Sequence, residues 1–197
     1  MFAIDTRGIY MIRSLFLLAA AATAFPALSQ DVYVADPNHT YAYFATGHLG
    51  ISWQRGRFNR TEAKITLDRA AKAGAIDVAI AMSSVDTGHE ARDKHLRSED
   101  YLDVERHPTM TFKSNRLRFN GDVLAGADGD LTIMGITKTV SLNVTAFRCQ
   151  LHPVNKREMC GAEADTAIKR SEFGIKRGAV GIGDEVKITI QIEAFKQ

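Results

Sequence analysis

The sequence predicts an all-β protein, a single antiparallel barrel of about eight strands with one helical insertion. Three observations lead to this prediction. Apolar and polar residues alternate in segment after segment, which is the period of a strand with one buried face. Turns containing Gly, Asn and Asp separate many of these segments. One charged stretch, residues 83–108, interrupts the pattern with helix-forming residues. Many short strands joined by turns are typical of a closed antiparallel barrel.

The predicted strands follow one another along the chain. They cover residues 41–46, 58–68, 76–82, 110–119, 124–134, 140–146, 162–169 and 186–193. The last is the clearest, because Ile188, Ile190 and Ile192 alternate with polar residues. Residues 49–57, which contain two glycines, are predicted to form a connecting turn.

The helical insertion is predicted to run from about residue 88 to residue 102. Thr87 and Glu90 have the spacing of a capping box, in which the hydroxyl and the carboxylate each bond a free backbone N–H. Pro108 disfavours helical backbone at the residue before it, so the helix ends before that point. Because the segment carries few apolar residues, it is expected to lie on the surface or to close an opening.

Alternation does not by itself say which face of the barrel is apolar. An outer-membrane barrel is apolar outside and carries aromatic girdles. One Trp and five Tyr are too few for girdles, which favours a barrel with an apolar interior. An interior of this size is either filled by side chains or holds one small ligand, which would have to be largely apolar.

The N-terminus is typical of a secretory signal peptide. A basic Arg13 precedes an apolar run too short to span a bilayer, and small residues precede a cleavage point after Ser29. We therefore expect a signal peptide at residues 1–29, with Met11 as an alternative start, and one mature domain at residues 30–197. The predicted location is the periplasm; an uncleaved membrane anchor is the alternative.

The charge balance offers no electrostatic case for nucleic-acid binding. The chain has 25 basic and 23 acidic residues, and losing Arg7, Arg13 and Asp5 with the signal peptide leaves a net charge of +1. A nucleic-acid-binding surface needs a marked excess of positive charge.

Cys149 and Cys160 are the two cysteines of the chain, and they flank a polar segment that contains Pro153 and Asn155. If that segment is a hairpin loop, the two residues face each other across paired strands, so a disulfide is expected in an oxidising compartment. The alternative is a redox-active pair, but the Cys-x-x-Cys spacing is missing.

Several short motifs resemble motifs of the YceI-like family, and they occur along the chain in the same order as in that family. They are His39-Thr40, Phe44, His48, Arg55-Gly56-Arg57-Phe58, residues 83–87 and 92–96, His107-Pro108 with Phe112-Lys113-Ser114, and residues 129–138, 170–174 and 183–186. Together they span the chain from about residue 36 to residue 194. Cys149 and Cys160 are a departure from the family pattern and affect one rim of the barrel.

The resemblance implies an exported bacterial protein with a lipocalin-like, eight-stranded barrel and an elongated apolar interior. It also implies that the barrel holds a long-chain isoprenoid lipid, such as a polyprenyl phosphate or an isoprenoid quinone. The resemblance further implies that the protein forms homodimers and that no catalytic activity is established for it. Transient contact with a membrane or with membrane redox proteins would follow from such cargo.

Arg92, Asp93 and His95 are the main candidates for binding the head group of a ligand. An arginine and a histidine at a tunnel mouth can hold a phosphate or donate to a quinone carbonyl. The structural alternative is that Asp93 pairs with Arg97 along the helix while His95 packs on the barrel rim. Lys138 and Arg170 are weaker candidates, and we expect them to be simply solvated.

The apolar ligand-binding candidates share an expected inward orientation; they are Phe44, Phe58, Met82, Phe112 and Phe173. Ordinary core packing is the alternative for these residues. His89, His95 and His107 lack the spacing of a zinc site, so no metal is predicted. No cofactor is predicted other than a bound lipid or quinone, and no nucleophile elbow is present.

Two classes of function follow. The first is a periplasmic carrier of a long isoprenoid lipid; the second is a non-hydrolytic enzyme or redox accessory acting on such a lipid, with Asp93 and His95 as acid and base. A fatty-acid or fatty-amide binder is a third alternative, because an apolar tunnel selects its ligand by length and width more than by head group.

Overall fold

The structure is a computed structural model that describes residues 30–197. The predicted signal peptide, residues 1–29, lies outside the described residues, as does Met11. One antiparallel sheet of eleven strands contains most of the described chain. The strands are β1 (Asp31–Ala35), β2 (Tyr41–His48), β3 (Ser52–Phe58), β4 (Thr61–Asp68), β5 (Ala73–Ala81), β6 (Val85–Asp86), β7 (Thr109–Asn120), β8 (Val123–Ile133), β9 (Ile136–Leu151), β10 (Glu158–Lys169) and β11 (Ile182–Lys196).

Eight of the strands close into a ring. Neighbours around the ring are β1, β4, β5, β7, β8, β9, β10 and β11, and β11 pairs again with β1. Tyr33 marks the closure, because it lies opposite Ile65 of β4 on one side and Lys196 of β11 on the other. The predicted eight-stranded antiparallel barrel is confirmed.

The other three strands extend the sheet at one end of the barrel. The long strand β11 pairs with β1 near its C-terminus and with β2 over Ile182–Gln191, and β3 and β6 follow outward from β2. The predicted turn at residues 49–57 is therefore wrong for most of its length, because β3 occupies Ser52–Phe58. The predicted strand at 41–46 exists but belongs to this extension, whereas Asp31–Ala35, which closes the ring, was not predicted.

The helical insertion is shorter than predicted and begins differently. Helix α1 covers Glu90–Arg97, and its N-cap is His89, whose ring Nδ1 accepts a hydrogen bond from the backbone N–H of Arg92. The predicted capping box is wrong because the Thr87 hydroxyl bonds the Asp93 side chain instead. Single 3-10 turns occur at Met82–Ser84 and Arg170–Phe173.

The predicted disulfide is confirmed. Cys149 of β9 and Cys160 of β10 lie opposite each other in the register and are bonded. The loop between the two strands covers residues 152–157, as the hairpin prediction requires. Cys160 is buried and packs with Tyr33, Leu67 and Ala194 in a core cluster at this end of the barrel.

No helix within residues 30–197 has both the length and the apolar character needed to cross a bilayer.

Candidate functional site: a cavity along the barrel

A large cavity of about 570 Å³ extends along the inside of the barrel. Its longest wall is β11, where every second residue from Val186 to Ala194 lines the cavity and the residues between point outward. At about 3.3 Å per residue along a strand, this wall is about 26 Å long. The cavity is therefore elongated, and its volume lies in the range of ligand pockets.

The remaining walls are almost entirely apolar because each strand contributes the apolar half of its alternating pattern. The contributors include Ile76, Val78 and Ile80 of β5, Met110 and Phe112 of β7, Leu131 and Ile133 of β8, Val140, Leu142 and Val144 of β9, and Ala164 and Ile168 of β10. Closure of the sheet therefore brings the apolar faces of these strands together as one continuous hydrocarbon surface.

One end of the cavity, which we call the far end, is sealed by buried side chains. Tyr33, Leu67 and Cys160 line it there, and each is less than a tenth exposed. The Tyr33 hydroxyl donates a hydrogen bond to Glu158 at 3.0 Å. Burial, together with that hydrogen bond, raises the pKa of Tyr33 to about 12.

The opposite end, which we call the open end, reaches the surface between β3 and α1. Among the lining residues of the described chain, Arg55 and His95 are the exposed ones. The polar residues Gln54, Thr87 and Arg92 line the cavity at the same end. The cavity therefore combines a long apolar body with a small polar group of side chains at its opening.

The Arg92 guanidinium is held at the open end by three hydrogen bonds to neutral acceptors. Nε donates to the Thr87 hydroxyl at 2.8 Å, one terminal nitrogen donates to Gln54 Oε1 at 2.7 Å, and the other donates to the Thr87 carbonyl at 2.9 Å. Within residues 30–197 no carboxylate pairs with Arg92. A guanidinium has five N–H donors, so its charge and part of its donor capacity are available to an anionic or carbonyl group.

Comparison with known proteins identifies a matching family model and similar proteins. The family model described as "YceI-like domain" matches residues 33–194. The chain belongs to the YceI-like family. A UPF0312 protein of Pseudomonas aeruginosa is 36% identical over 186 residues, which cover 93% of this chain and 96% of the relative.

Two solved structures share the fold of this YceI-like chain. The crystal structure of BcnA from Burkholderia cenocepacia has a TM-score of 0.70 at 23% identity and covers 81% of this chain and 98% of its own. A polyisoprenoid binding domain from Saccharophagus degradans, implicated in plant cell wall breakdown, has a TM-score of 0.61 at 19% identity and covers 84% and 98%. The resemblance drawn from the motifs is confirmed.

In this YceI-like barrel, six of the eight predicted ligand-binding residues line the cavity. They are Phe44, Phe58, Arg92, His95, Phe112 and Phe173. Met82 does not line it; the residue is fully buried in the 3-10 turn and packs in the main core cluster. Asp93 does not line it either. The geometry thus supports the four aromatic residues and two of the polar ones as candidates for contact with a ligand.

Asp93 acts as a buried support for the open end. Its carboxylate accepts hydrogen bonds from both the backbone N–H and the hydroxyl of Thr87. Thr87 in turn accepts the Nε bond of Arg92. The pairing of Asp93 with Arg97, the structural alternative, is not formed; Arg97 donates to the carbonyls of Ser83 and Val85 instead. Asp93 therefore positions Arg92 through Thr87.

His95 and Asp93 do not face each other, which removes the geometric basis for an acid–base pair. The His95 ring packs edge-on against Tyr101 with centroids 4.9 Å apart, and its Nε2 lies 3.5 Å from Asp100. The side chain is 56% exposed. His95 thus packs on the rim and borders the opening.

Arg170 differs most from its prediction as a solvated residue. It is 6% exposed and donates to four backbone carbonyls, those of Ile175, Arg177, Ile182 and Gly183. These bonds hold the loop before β11 against the barrel. Lys138 is exposed, as predicted.

Several polar lining residues were not found from the sequence, among them Gln54 and Tyr43. Gln54 lies on β3 and Tyr43 on β2, and Gln54 accepts the bond from Arg92. The missed strand β3 explains the first omission, because residues 49–57 were treated as a turn. No sequence signal distinguishes Gln54 from other exposed polar residues of a strand.

Proposed function

We propose that this protein binds and carries a long-chain isoprenoid lipid, with the hydrocarbon tail inside the barrel and the head group at the open end. The observation that carries the proposal is the continuous apolar cavity of about 570 Å³, whose β11 wall runs from Val186 to Ala194. A compact polar ligand would leave such walls in contact with water or with unmatched polar groups, whereas a hydrocarbon tail matches them along their length.

Burial of the tail supplies the driving force for binding. Each methylene removed from water contributes about 0.8 kcal/mol, so a tail of many isoprene units is held tightly even without polar recognition. The Saccharophagus degradans domain, a polyisoprenoid binding domain with the same fold, supports the choice of ligand class. A fatty acid or fatty amide remains the alternative ligand, since the walls distinguish tails by length and width.

The polar group at the open end supports a role for Arg92 in holding the head. Its guanidinium faces neutral partners and is oriented by Thr87 and Gln54. A charged donor fixed in this way suits a phosphate or a quinone carbonyl. The proposal includes no catalytic step, because Asp93 and His95 do not form a joint acid–base site.

Two further elements of the prediction accompany this function. A periplasmic location follows from the predicted signal peptide, and N-terminal sequencing of the exported protein tests it: a chain that begins with Met1 or Met11 would contradict it. The homodimer and the contact with membrane redox proteins stay predictions drawn from the family resemblance.

The experiment that tests the function is organic extraction of the purified mature protein followed by mass spectrometry. We expect a near-stoichiometric, chemically unmodified isoprenoid lipid. A mixture of a lipid and its reaction product would favour chemistry over carriage. Recovery of fatty acids or fatty amides alone would contradict the isoprenoid assignment, and an empty protein that takes up no added polyprenyl phosphate or quinone would refute lipid carriage.

A further inference from the structure

We infer that the open end of the barrel docks on the surface of an anionic phospholipid bilayer through an exposed apolar tip. The tip consists of Leu49 and Ile51, in the turn between β2 and β3, and Val180, in the loop before β11. Leu49 is 61% exposed, Ile51 is 83% exposed, and Val180 is fully exposed. Large apolar side chains grouped on two neighbouring loops mark an interaction surface.

The tip is joined to the open end of the cavity. The Leu49 backbone N–H donates to the Gly181 carbonyl at 2.7 Å, which holds the two loops together. His48 and Ile182 pair directly behind the tip, and both line the cavity. On the helix side, Asp100 lies 3.8 Å from Arg177 of the second loop and 3.5 Å from His95 at the opening.

The backbone of Leu49 indicates that folding alone does not select this residue. Its φ of 54° lies in the left-handed region, which Gly and Asn adopt at far lower cost. A largely exposed leucine there gains little burial in return. Strained residues of this kind cluster at functional sites. An external apolar partner explains a leucine at this position.

Exposed basic residues lie next to the tip. Arg55, Lys176, Arg177 and Lys187 are exposed next to it, and Arg177 pairs with Asp100. Residues 47–58 and 174–183 contain no acidic residue, and the exposed Asp184 and Glu185 follow the second loop in β11. Lys187 lies over the ring of Trp53, with Nζ 4.4 Å from the ring centroid. Apolar side chains that enter the headgroup region, with Lys and Arg beside them and an aromatic ring at the interface, are the pattern of a protein that binds an anionic membrane surface.

The same charges disfavour a second copy of this chain as the partner. A two-fold interface brings identical patches together, so the basic residues beside one tip would face those beside the other, and residues 47–58 and 174–183 offer no acidic residue to either copy. An anionic bilayer supplies the complementary charge. Docking on a bilayer also places the opening of the cavity against a source of apolar cargo, so the inference deepens the proposed function. Docking itself does not depend on which lipid the cavity holds.

Trp53 provides a direct test on the unaltered mature protein, because it is the one tryptophan of the chain and is 40% exposed beside the tip. We expect its fluorescence to shift to the blue, and to be quenched by brominated acyl chains, when vesicles of phosphatidylcholine with about one-third phosphatidylglycerol are added. Pure phosphatidylcholine vesicles should give a weaker response, and added salt should reduce the response to anionic vesicles. No shift with anionic vesicles would refute docking.

The matched variants are a tip triple and a control double. The triple is Leu49→Asn with Ile51→Ser and Val180→Ser; the control is Leu151→Ser with Val154→Ser, at the end of β9 and in the loop after it at the far end. Asn suits the left-handed backbone at position 49, so the triple should melt at or above the wild-type temperature. We expect its sedimentation with anionic vesicles to weaken by at least about tenfold, the order expected for losing one buried aliphatic side chain. The control should bind as wild type does.

Three results would overturn the inference: unchanged vesicle binding by the triple, equal loss in the control, or a wild-type dimer that the triple converts to a monomer while vesicles are ignored. The last would identify a second copy as the occupant of the tip, and light scattering measures it. The docking inference and the proposed lipid-carrying function can be refuted independently of each other. A protein that retains extracted lipid but ignores vesicles contradicts docking alone, and one that binds vesicles but carries no lipid contradicts the proposed function alone.

Discussion

At the scale of single residues, the open end depends on a short chain of hydrogen bonds. Asp93 holds Thr87, Thr87 orients Arg92, and Arg92 borders the cavity. The sequence shows these residues, but it does not show which of them form hydrogen bonds with each other. Helical spacing favoured pairing of Asp93 with Arg97, whereas the folded chain brings Thr87 within reach of Asp93 and leaves Arg92 without an acidic partner among residues 30–197.

Replacement of Arg92 by Ala should weaken binding of a polyprenyl phosphate by about tenfold or more and leave a neutral polyprenol almost unaffected, because a charged hydrogen bond to the head contributes roughly 1.5–3 kcal/mol. Competition binding with the two lipid classes measures this. Arg97→Ala is the matched control, since Arg97 lies on the same helix but does not line the cavity. Equal loss for both lipids would remove the head-group role.

Tyr33, at the far end, makes the stability of the folded protein depend on pH. Its pKa is raised from 10.0 to about 12 in the folded protein by burial and the Glu158 hydrogen bond, so its contribution to stability is complete below pH 10 and is lost as the pH rises towards 12. Relative to Tyr33→Phe, the wild-type free energy of unfolding should fall by roughly 1 kcal/mol per pH unit in that window. Urea unfolding of both proteins measures it; a constant difference across the window would contradict the assignment.

At the scale of secondary-structure elements, alternation predicted the long strands well because one face of each meets the cavity and the other meets solvent. The short strands β1, β3 and β6 were missed. β3 carries Trp53, Gln54 and Arg55 without a clear apolar period, since its place at the sheet extension gives it no continuous buried face. The helix was predicted too long because the residues after Arg97 form turns fixed by contacts with Asp103 and Leu96.

Replacement of Gly129 by Ala should destabilise the barrel by about 1–3 kcal/mol, the usual cost of overpacking. A Cβ at this position would lie 2.5 Å from the Lys113 carbonyl oxygen and 2.5 Å from the Phe112 ring, and the carbonyl belongs to a paired strand that cannot move away. Gly161→Ala is the control, because that glycine is also in a paired strand but its nearest neighbour would be 3.7 Å away. Chemical unfolding of the two variants compares them, and equal stability would contradict the packing at Gly129.

Asp93→Ala tests the junction between β6 and α1. It leaves the backbone N–H and the hydroxyl of Thr87 without their acceptor in a largely buried site, which costs roughly 1–3 kcal/mol. Asp122→Ala is the matched control, because its side chain is 94% exposed, and surface changes of this kind stay within about 0.5 kcal/mol. Urea unfolding distinguishes them. If the two variants were equally stable, Asp93 would not support the open end.

At the scale of the whole molecule, closure of the sheet creates the cavity. Ala164 lies about midway along the lining part of β10, opposite Ile190 and Val144, where a small side chain leaves space in the interior. The cavity is thus a property of eight strands together, because each strand contributes only every second residue to its walls.

Ala164→Trp should therefore fill the cavity and abolish retention of a long-chain lipid while the barrel remains folded. Asp165→Trp, the next residue on the outer face of the same strand, should retain the lipid as wild type does. Circular dichroism checks the fold, and extraction with mass spectrometry measures the lipid. Full lipid occupancy in Ala164→Trp would show that the cargo lies outside the barrel.

The sequence by itself determined the barrel, seven of the eight strands in its ring, the single helix and the disulfide between Cys149 and Cys160. These features depend on patterns that are local or nearly so: strand-period alternation, turn residues, and two cysteines placed symmetrically about one hairpin loop. The motifs likewise identified the family. Only the tertiary structure decided which strands form the ring, that Met82 and Asp93 lie outside the cavity lining, and that Arg170 is buried. Those outcomes depend on pairings between residues far apart in the chain, such as Tyr33 with Lys196, which no local pattern specifies.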